Sequence, residues 1–398
     1  MKGKRELPRS SLQSELRSQV RTLRPIHPAA TMSLVTILGQ ALSPPPSSIE
    51  ILPGDISSWI QPETNSNEPP SPYLLVDGNL GIPQKVLYKA YMEAVKIFHN
   101  IQGSRGKQSD TLCPSRELID LSSVILLANP AHHTAMNTRK RLVLSKVISV
   151  EYELRFTAVL LDIRDASKES TVWHHRRWLL RKLYHLPQPN SLTFNIPEPW
   201  NLTTDEDTLV GLDIPLNVMA QEFALAEKAA ETYRRNYFAW SHRARCIDSL
   251  TAIYLSTFRT QPLSASSLAI AILEEFSWTL QWIESHIAEY TAMQYACRVH
   301  QLIHQSKLPS QLEIASYSDY LRPEKLVEHA RLLVESYDEH EALWMYLRGA
   351  MESLEHVNAS KVDLTQYKTF AMRYTQRSKI TSRHASQFLS WLERKHDT

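Results

Sequence analysis

The sequence has 398 residues, with 44 Lys and Arg against 42 Asp and Glu, which gives a formal net charge of +2. So small a charge implies no general affinity for nucleic acid or for anionic membranes. Only 9 glycines stand against 22 prolines and hydrophobic residues make up 43% of the chain, which favours a helical protein over a β-rich one.

The cysteines and the motif inventory point away from metal and nucleotide chemistry in this chain. Cys113, Cys246 and Cys297 are far apart and odd in number, which predicts a reducing compartment, no disulfide framework and no cysteine-based zinc site. The sequence contains no HExxH, no CxxC and no glycine-rich nucleotide motif. No apolar run approaches the roughly 20 residues of a membrane span. We therefore expect a cytoplasmic protein that binds no metal or cofactor itself.

The first part of the chain has the composition of a linker. A short helix is plausible over residues 34–42, but Pro, Ser, Asn and Glu dominate from Pro44 to Pro72. We predict that residues 1–72 form a disordered arm and linker. A single helical domain is expected to follow from 73 to 398, beginning with a short extended run at 73–76.

Apolar residues then recur at helical spacing in one segment after another. One helix is expected to begin at Pro83 and another at Pro114. The clearest later amphipathic helices are predicted at 151–161, 218–233, 264–286, 326–337 and 382–394. Residues 186–215, rich in Pro and Asn, are expected to be an inserted surface loop.

One motif recurs along the chain. In STVWHHRRWLLRKL, residues 170–183, Trp173 and Arg177 lie one helical turn apart on one face. Weaker copies have their large side chain, which we call the anchor, at Met136, Trp240, Met293 and Trp344. Each copy is consistent with a helical hairpin of about 35 residues that must stack on its neighbours to bury its apolar face.

The motif residues are interpreted as packing residues. A large side chain near the start of a helix supplies contact area to the next hairpin. An Arg one turn later can lie on a ring and pair with a carboxylate of the adjacent helix. The residues assigned to repeat packing are Met136, Arg139, Trp173, Arg176, Arg177, Trp240, Arg243, Trp344 and Arg348.

These observations predict an all-α fold, an alpha–alpha superhelix (solenoid) of about five helical-hairpin repeats with anchors near 136, 173, 240, 293 and 344. A tetratricopeptide-like array is the weaker alternative, because the anchors are too irregularly spaced for a 34-residue period.

The motif resembles the repeat of the protein prenyltransferase alpha-subunit family, Asn-Tyr-x-x-Trp-x-x-Arg-Arg. The match is strong from Trp173 to Arg177 and good from Asn236 to Arg243. Residues 129–141 also match, with Met136 in the Trp position. Within the family, residues 76–81 and the long insertion look most like a subfamily of repeat-containing proteins.

The resemblance implies an alpha-type subunit that wraps around a barrel-shaped beta subunit. That partner would carry zinc and most of the prenyl and peptide pocket, and the Rab geranylgeranyltransferase type is the expected one. The implied reaction is geranylgeranyl transfer from an isoprenoid diphosphate to a C-terminal cysteine of a protein, and the chain alone is not expected to be active.

The resemblance also points to two residues. In the family, a Lys five positions before the second repeat's Trp faces the prenyl diphosphate, and Lys168 has that place here. A Tyr three positions before a Trp also faces the site, and Tyr237 keeps it. Ser170 and Phe238 depart from the family's Tyr and His. The alternative for Lys168 is a solvated loop lysine, and the alternative for Tyr237 is a packing role.

A second function class stays open. Ser170, Phe238 and the weak fourth copy are also compatible with a non-enzymatic helical-repeat adaptor in membrane trafficking, which keeps the fold and recruits other proteins. The identity of the co-purifying partner distinguishes the two.

Overall fold

The computed structural model describes residues 32–59, 71–104, 115–184, 207–308, 315–358 and 363–396. These residues form α-helices throughout, apart from one small sheet and a few short 3-10 turns, so the predicted all-α class is confirmed. The chain divides into two compact units, residues 1–183 and 184–398, where the sequence predicted one helical domain after residue 72.

The described part of the first unit contains a short helix, then the three-stranded sheet, then further helices. Its elements are α1 (Leu34–Ala41), β1 (Ser48–Leu52), β2 (Leu74–Val76), β3 (Asn79–Pro83), α2 (Gln84–Ser104), α3 (Ser115–Ala128), α4 (His133–Leu144), α5 (Val150–Leu161), α6 (Arg164–Ser167) and α7 (Ser170–Tyr184).

The regular secondary structure of the second unit, within its described residues, is entirely helical. Its elements are α8 (Leu216–Thr232), α9 (Tyr237–Thr260), α10 (Ala265–Ser285), α11 (Tyr290–Gln305), α12 (Lys325–Ser336), α13 (Glu341–Asn358), α14 (Thr365–Met372) and α15 (Lys379–His396).

Residues 32–59 are folded, contrary to the expectation of a disordered arm and linker. The sheet has the strand order β1-β3-β2, with β1 parallel to β3 and Ser48 opposite Asn79. Ile49 and Ile82 are buried in it. Local composition cannot reveal β1, because the strand that stabilises it lies some 30 residues further along the chain. The rest of this prediction, residues 1–31 and 60–70, lies outside the described residues.

The predicted amphipathic helices of the repeats are confirmed to within a few residues at each end. The predicted insertion lies mostly outside the described residues, up to residue 206. Its last part, 207–215, is not a simple surface loop. Leu209 and Ile214 are buried there, and the Leu209 carbonyl accepts a hydrogen bond of 2.9 Å from the Ser249 hydroxyl in α9.

No helix in the described ranges combines the length and the apolar character needed to cross a membrane.

Candidate functional site

The repeat register is visible in where the helices begin. Helices α4, α7, α9, α11 and α13 each start three residues before an anchor. Every anchor is at most 4% exposed. These anchors are Met136, Trp173, Trp240, Met293 and Trp344. They are therefore core residues in the first turn of these five helices, as the packing interpretation predicts.

Two tryptophan anchors each donate a hydrogen bond to a backbone carbonyl just before their own helix. The Trp173 indole N–H donates to the Ser167 carbonyl at 2.8 Å, and the Trp344 indole N–H donates to the Asp338 carbonyl at 2.8 Å. The Trp240 indole nitrogen is buried and has no hydrogen-bond partner within the described residues. The anchor thus fixes the entry to the helix in two repeats and only packs in the third.

An arginine three residues after the anchor joins its helix to the preceding one in three repeats. Arg176 donates to the Leu154 carbonyl at 2.8 Å, and Arg243 donates to the Phe223 carbonyl at 2.8 Å. Arg139 donates to the Ser123 hydroxyl at 2.8 Å. All three arginines are buried. These bonds satisfy backbone carbonyl and hydroxyl groups that burial would otherwise leave unpaired.

In the first unit, a buried glutamate accepts hydrogen bonds from two repeats. The Glu153 carboxylate in α5 accepts a hydrogen bond of 2.6 Å from the Arg139 guanidinium in α4. It also lies 2.9 Å from His175 Nε2 in α7. Burial alone would raise the Glu153 pKa, but Arg139 and the hydrogen bond from His175 outweigh it and lower that pKa to about 2. Burial lowers the His175 pKa, so the neutral ring donates its Nε2–H to the carboxylate.

The second unit repeats this arrangement with one substitution. Glu275 in α10 accepts a hydrogen bond of 2.8 Å from Arg243 in α9 and one of 2.7 Å from the Tyr295 hydroxyl in α11. The Arg243 guanidinium carbon also lies 3.7 Å from the centre of the Trp278 ring. His242 in α9 lies 2.9 Å from Glu222 in α8. In three repeats, the residue two positions after the anchor is therefore hydrogen-bonded to a glutamate of the preceding long helix. These residues are His175, His242 and Tyr295.

Sequence reasoning missed these glutamates. It assigned the arginines to packing and predicted a carboxylate of the adjacent helix as their partner, but it did not identify which glutamates these are. A signal was present, because each of Glu153, Glu222 and Glu275 stands among apolar residues of an amphipathic helix. Arg348, by contrast, lies four residues after its anchor and forms no ion pair in the described part of the chain. Arg177 is buried.

Lys168 lies just before α7, between the short helix α6 and the motif. Its ammonium is 2.8 Å from the Asp165 carboxylate, and the two side chains are 40% and 70% exposed. The same short segment supplies the Ser167 carbonyl that binds the buried Trp173 ring. The packed anchor therefore positions a half-exposed cation at the start of its helix.

Tyr237 is the first residue of α9 and is 37% exposed. Its ring meets Phe238 edge to face at 5.5 Å. It borders a shallow pocket between α9 and α11 that also includes Trp240 and Tyr295. The space open to water there is about 20 Å³, room for about one water molecule and far too little for an isoprenoid chain. Lys168 and Tyr237 belong to different compact units.

Metal-ligating side chains do not converge in the residues that the structure describes: no group of three His, Cys, Asp or Glu could hold an ion. His132 accepts the Ala135 amide hydrogen at 3.1 Å and caps α4.

Comparison with known proteins agrees with the repeat register. A profile of the protein prenyltransferase alpha subunit repeat matches residues 219–250, which span α8, the Asn236-Tyr237 pair and the anchor Trp240. Protein prenyltransferase alpha subunit repeat-containing protein 1 of Homo sapiens is 26% identical over 268 residues, 61% of this chain and 60% of its own length. The Danio rerio protein of the same name is 25% identical over 312 residues, 72% of this chain and 65% of its own.

A more distant similarity extends to an enzyme subunit. Geranylgeranyl transferase type-2 subunit alpha of Saccharomyces cerevisiae is 20% identical over 237 residues, 59% of this chain and 58% of its own length. The match to each of the two repeat-containing proteins above spans less than two thirds of that relative's length.

Proposed function

We propose, from the premise that the chain belongs to the protein prenyltransferase alpha-subunit repeat family, that it is the alpha-type subunit of a heterodimeric protein prenyltransferase. The observation that carries the proposal is the contrast within the motif. Its anchors and the arginines Arg139, Arg176, Arg177 and Arg243 are buried, while Lys168 and Tyr237 are partly exposed where α7 and α9 begin. These are the places from which a repeat protein can reach a partner's pocket.

The proposed reaction is transfer of a geranylgeranyl group to a cysteine of a protein acceptor. The cysteine sulfur forms a thioether bond with the first carbon of the isoprenoid, the carbon–oxygen bond breaks, and diphosphate leaves with its electron pair. Zinc, which would lower the pKa of the acceptor thiol, belongs to the beta subunit in this proposal. The beta subunit of the Rab geranylgeranyltransferase type is the expected partner.

Lys168 has the properties needed to assist the departing diphosphate. Its ammonium is a compact charge on a flexible stem and can follow an oxygen as negative charge develops on it. The exposed Lys168–Asp165 pair is of a kind that contributes about 0–1 kcal/mol, so exchanging the carboxylate for a diphosphate costs little. The rest of this chain supplies the scaffold and the surface that selects the acceptor.

The test is co-expression with candidate beta subunits, followed by an assay of labelled geranylgeranyl transfer to a protein with a C-terminal cysteine. We expect a stable complex, and we expect Lys168→Ala to lower kcat by roughly tenfold to a hundredfold through lost charge stabilisation. Lys168→Arg should retain part of the rate. Lys89→Ala, which removes an exposed lysine from α2 in the same unit, should leave it unchanged.

The outcomes separate two claims. Failure to form a complex with any beta subunit contradicts the subunit assignment. An active complex that is indifferent to Lys168→Ala retains the subunit assignment and removes Lys168 from the chemistry. A stable complex with other proteins and no transfer activity supports the adaptor alternative.

A further inference from the structure

The groove between α13 and α15 in the second unit has an unusual concentration of positive charge. It is open and holds about 510 Å³. It is lined by three arginines, Arg348, Arg383 and Arg394, and by the single carboxylate of Glu341, with His384 beside them. The sequence assigned Arg348 to repeat packing, but it forms no ion pair within the described residues, and the proposed transferase function uses none of the residues that line this groove.

Two of the lining side chains have a buried nitrogen atom without a hydrogen-bond partner among the described residues. His384 is 8% exposed, and its Nδ1 has no hydrogen-bond partner among the described residues. The Nε of Arg348 is likewise buried without a partner there. Buried polar atoms are nearly always paired, with protein, water or a ligand. Two such atoms at one open groove therefore mark a place where polar groups of a ligand can bind.

Arg348 indicates which charge a ligand of this groove would carry. Burial lowers the Arg348 pKa and the neighbouring cation Arg394 lowers it further, against the smaller opposing effects of Glu341 and Glu352. Among the described residues, the guanidinium donates a hydrogen bond to the Met345 sulfur at 3.6 Å and lies 5.8 Å from the centre of the Trp391 ring. A partly desolvated cation beside another cation is stabilised by an anion, and the planar guanidinium accommodates a carboxylate or phosphate through paired N–H donors.

The size and the apolar part of the groove favour a peptide over a small ion. A volume of about 510 Å³ is within the range of sites that bind organic ligands and short segments. Met345 is 52% exposed at the groove and lies one residue from the buried ring of Trp344. A flexible apolar side chain of this kind packs against apolar groups of a ligand, and a free inorganic anion has none.

We propose that this groove binds an acidic peptide segment of a partner protein, with its carboxylates on Arg348, Arg383 and Arg394 and an apolar side chain on Met345. The site lies wholly within the second unit and uses none of the residues assigned to prenyl transfer. Peptide binding in this groove can therefore be tested independently of the proposed transferase function.

The experiment uses the full-length chain and a fluorescent peptide, Glu-Glu-Leu-Glu-Glu with blocked ends, and measures binding by anisotropy. We expect saturable binding that weakens by tenfold or more between 50 and 300 mM salt, because exposed charge pairs are screened. The double variant Arg383→Gln/Arg394→Gln should weaken it at least tenfold. Both side chains are exposed, so this variant is expected to fold. Arg373→Gln, also exposed but outside the groove lining, is the matched control.

Three results would overturn the proposal. They are absence of binding at 1 mM peptide, equal affinity in the double variant and the Arg373→Gln control, and inorganic phosphate that competes as well per molecule as the peptide. A Lys-Lys-Leu-Lys-Lys peptide should not bind. Met345→Gln should weaken binding of the leucine-containing peptide more than that of Glu-Glu-Gly-Glu-Glu, which tests the apolar contact separately.

Discussion

At the scale of single residues, buried glutamates hold the repeats together. Glu153 joins Arg139 and His175, and Glu275 joins Arg243 and Tyr295. Each carboxylate lies on the middle one of three successive long helices and accepts from the helix before it and the helix after it. These buried hydrogen bonds connect three successive helices, and losing one partner leaves the others as uncompensated buried groups.

The first prediction concerns Glu153. Glu153→Ala should lower the free energy of unfolding by about 3–5 kcal/mol, because Arg139 and His175 lose their shared acceptor inside the core. Chemical denaturation measures the loss. The matched control is Glu328→Ala, which breaks the exposed Arg322–Glu328 pair and should change the stability little. Equal losses in the two variants would contradict a structural role for the buried carboxylate.

A second prediction at this scale concerns pH. His300 in α11 accepts from the Ser353 hydroxyl at 2.8 Å and donates to the Pro323 carbonyl at 3.1 Å. Burial, together with His304, lowers the His300 pKa from 6.5 to about 3. Between these values the unfolded chain binds a proton that the folded chain does not. Stability conferred by the neutral ring is therefore full above pH 6.5 and declines as the pH falls, by about 1.4 kcal/mol per pH unit.

The test compares the unfolding free energy of the protein and of His300→Gln from pH 4 to pH 6. The variant is less stable at neutral pH, and its pH dependence should be shallower by about 1.4 kcal/mol per pH unit. His356→Gln, at an exposed position of α13, should keep the slope of the unmodified protein. Parallel curves for all three proteins would show that His300 titrates normally in the fold.

At the scale of elements, each repeat is a helix whose first turn is fixed by its anchor. The periodic apolar pattern locates these helices because an amphipathic helix records its buried face within its own sequence. The hydrogen-bond partner of the tryptophan anchor's indole N–H differs between repeats, and the local sequence does not predict it. Trp173 and Trp344 bond to the chain six residues earlier, while Trp240 packs among Trp278, Trp282 and Tyr295.

This difference predicts unequal effects of one substitution at two anchors. Trp173→Phe removes ring volume and leaves the buried Ser167 carbonyl without its donor, whereas Trp240→Phe removes volume and an indole N–H that has no partner in the described residues. Trp173→Phe should therefore be more destabilising by about 1–3 kcal/mol. Thermal and denaturant unfolding of the two variants measure the difference. A larger loss at Trp240 would mean that aromatic packing outweighs the hydrogen bond.

At the scale of the whole molecule, the chain is a helical-repeat protein whose buried face is used for packing and whose helix beginnings carry exposed aromatic residues. Tyr237 and Tyr290 begin α9 and α11 and are 37% and 48% exposed. Each stands three residues before its anchor. Exposed tyrosines on rigid elements are typical of binding surfaces, because they supply contact area at low entropic cost.

The proposed function therefore predicts where a beta subunit should protect this chain. Hydrogen–deuterium exchange of the complex should slow at the first turns of α9 and α11 relative to the free chain. Tyr237→Ala/Tyr290→Ala should weaken the complex at least tenfold, whereas Tyr88→Ala, at another exposed tyrosine in α2, serves as the control. A complex formed with no change at these helix beginnings would place the interface elsewhere.

Local sequence was enough to predict the helical class, the repeat helices to within a few residues and the positions of the five anchors, because a helix that buries one face repeats its apolar residues at a spacing visible over a few turns. The tertiary structure is needed for every feature that depends on contacts between distant parts of the chain. It pairs Ser48 with Asn79, Arg243 with Glu275 and α13 with α15. A contact with a residue some 30 or more positions away does not affect the local apolar pattern. The sheet, the shared glutamates and the cationic groove therefore cannot be predicted from that pattern.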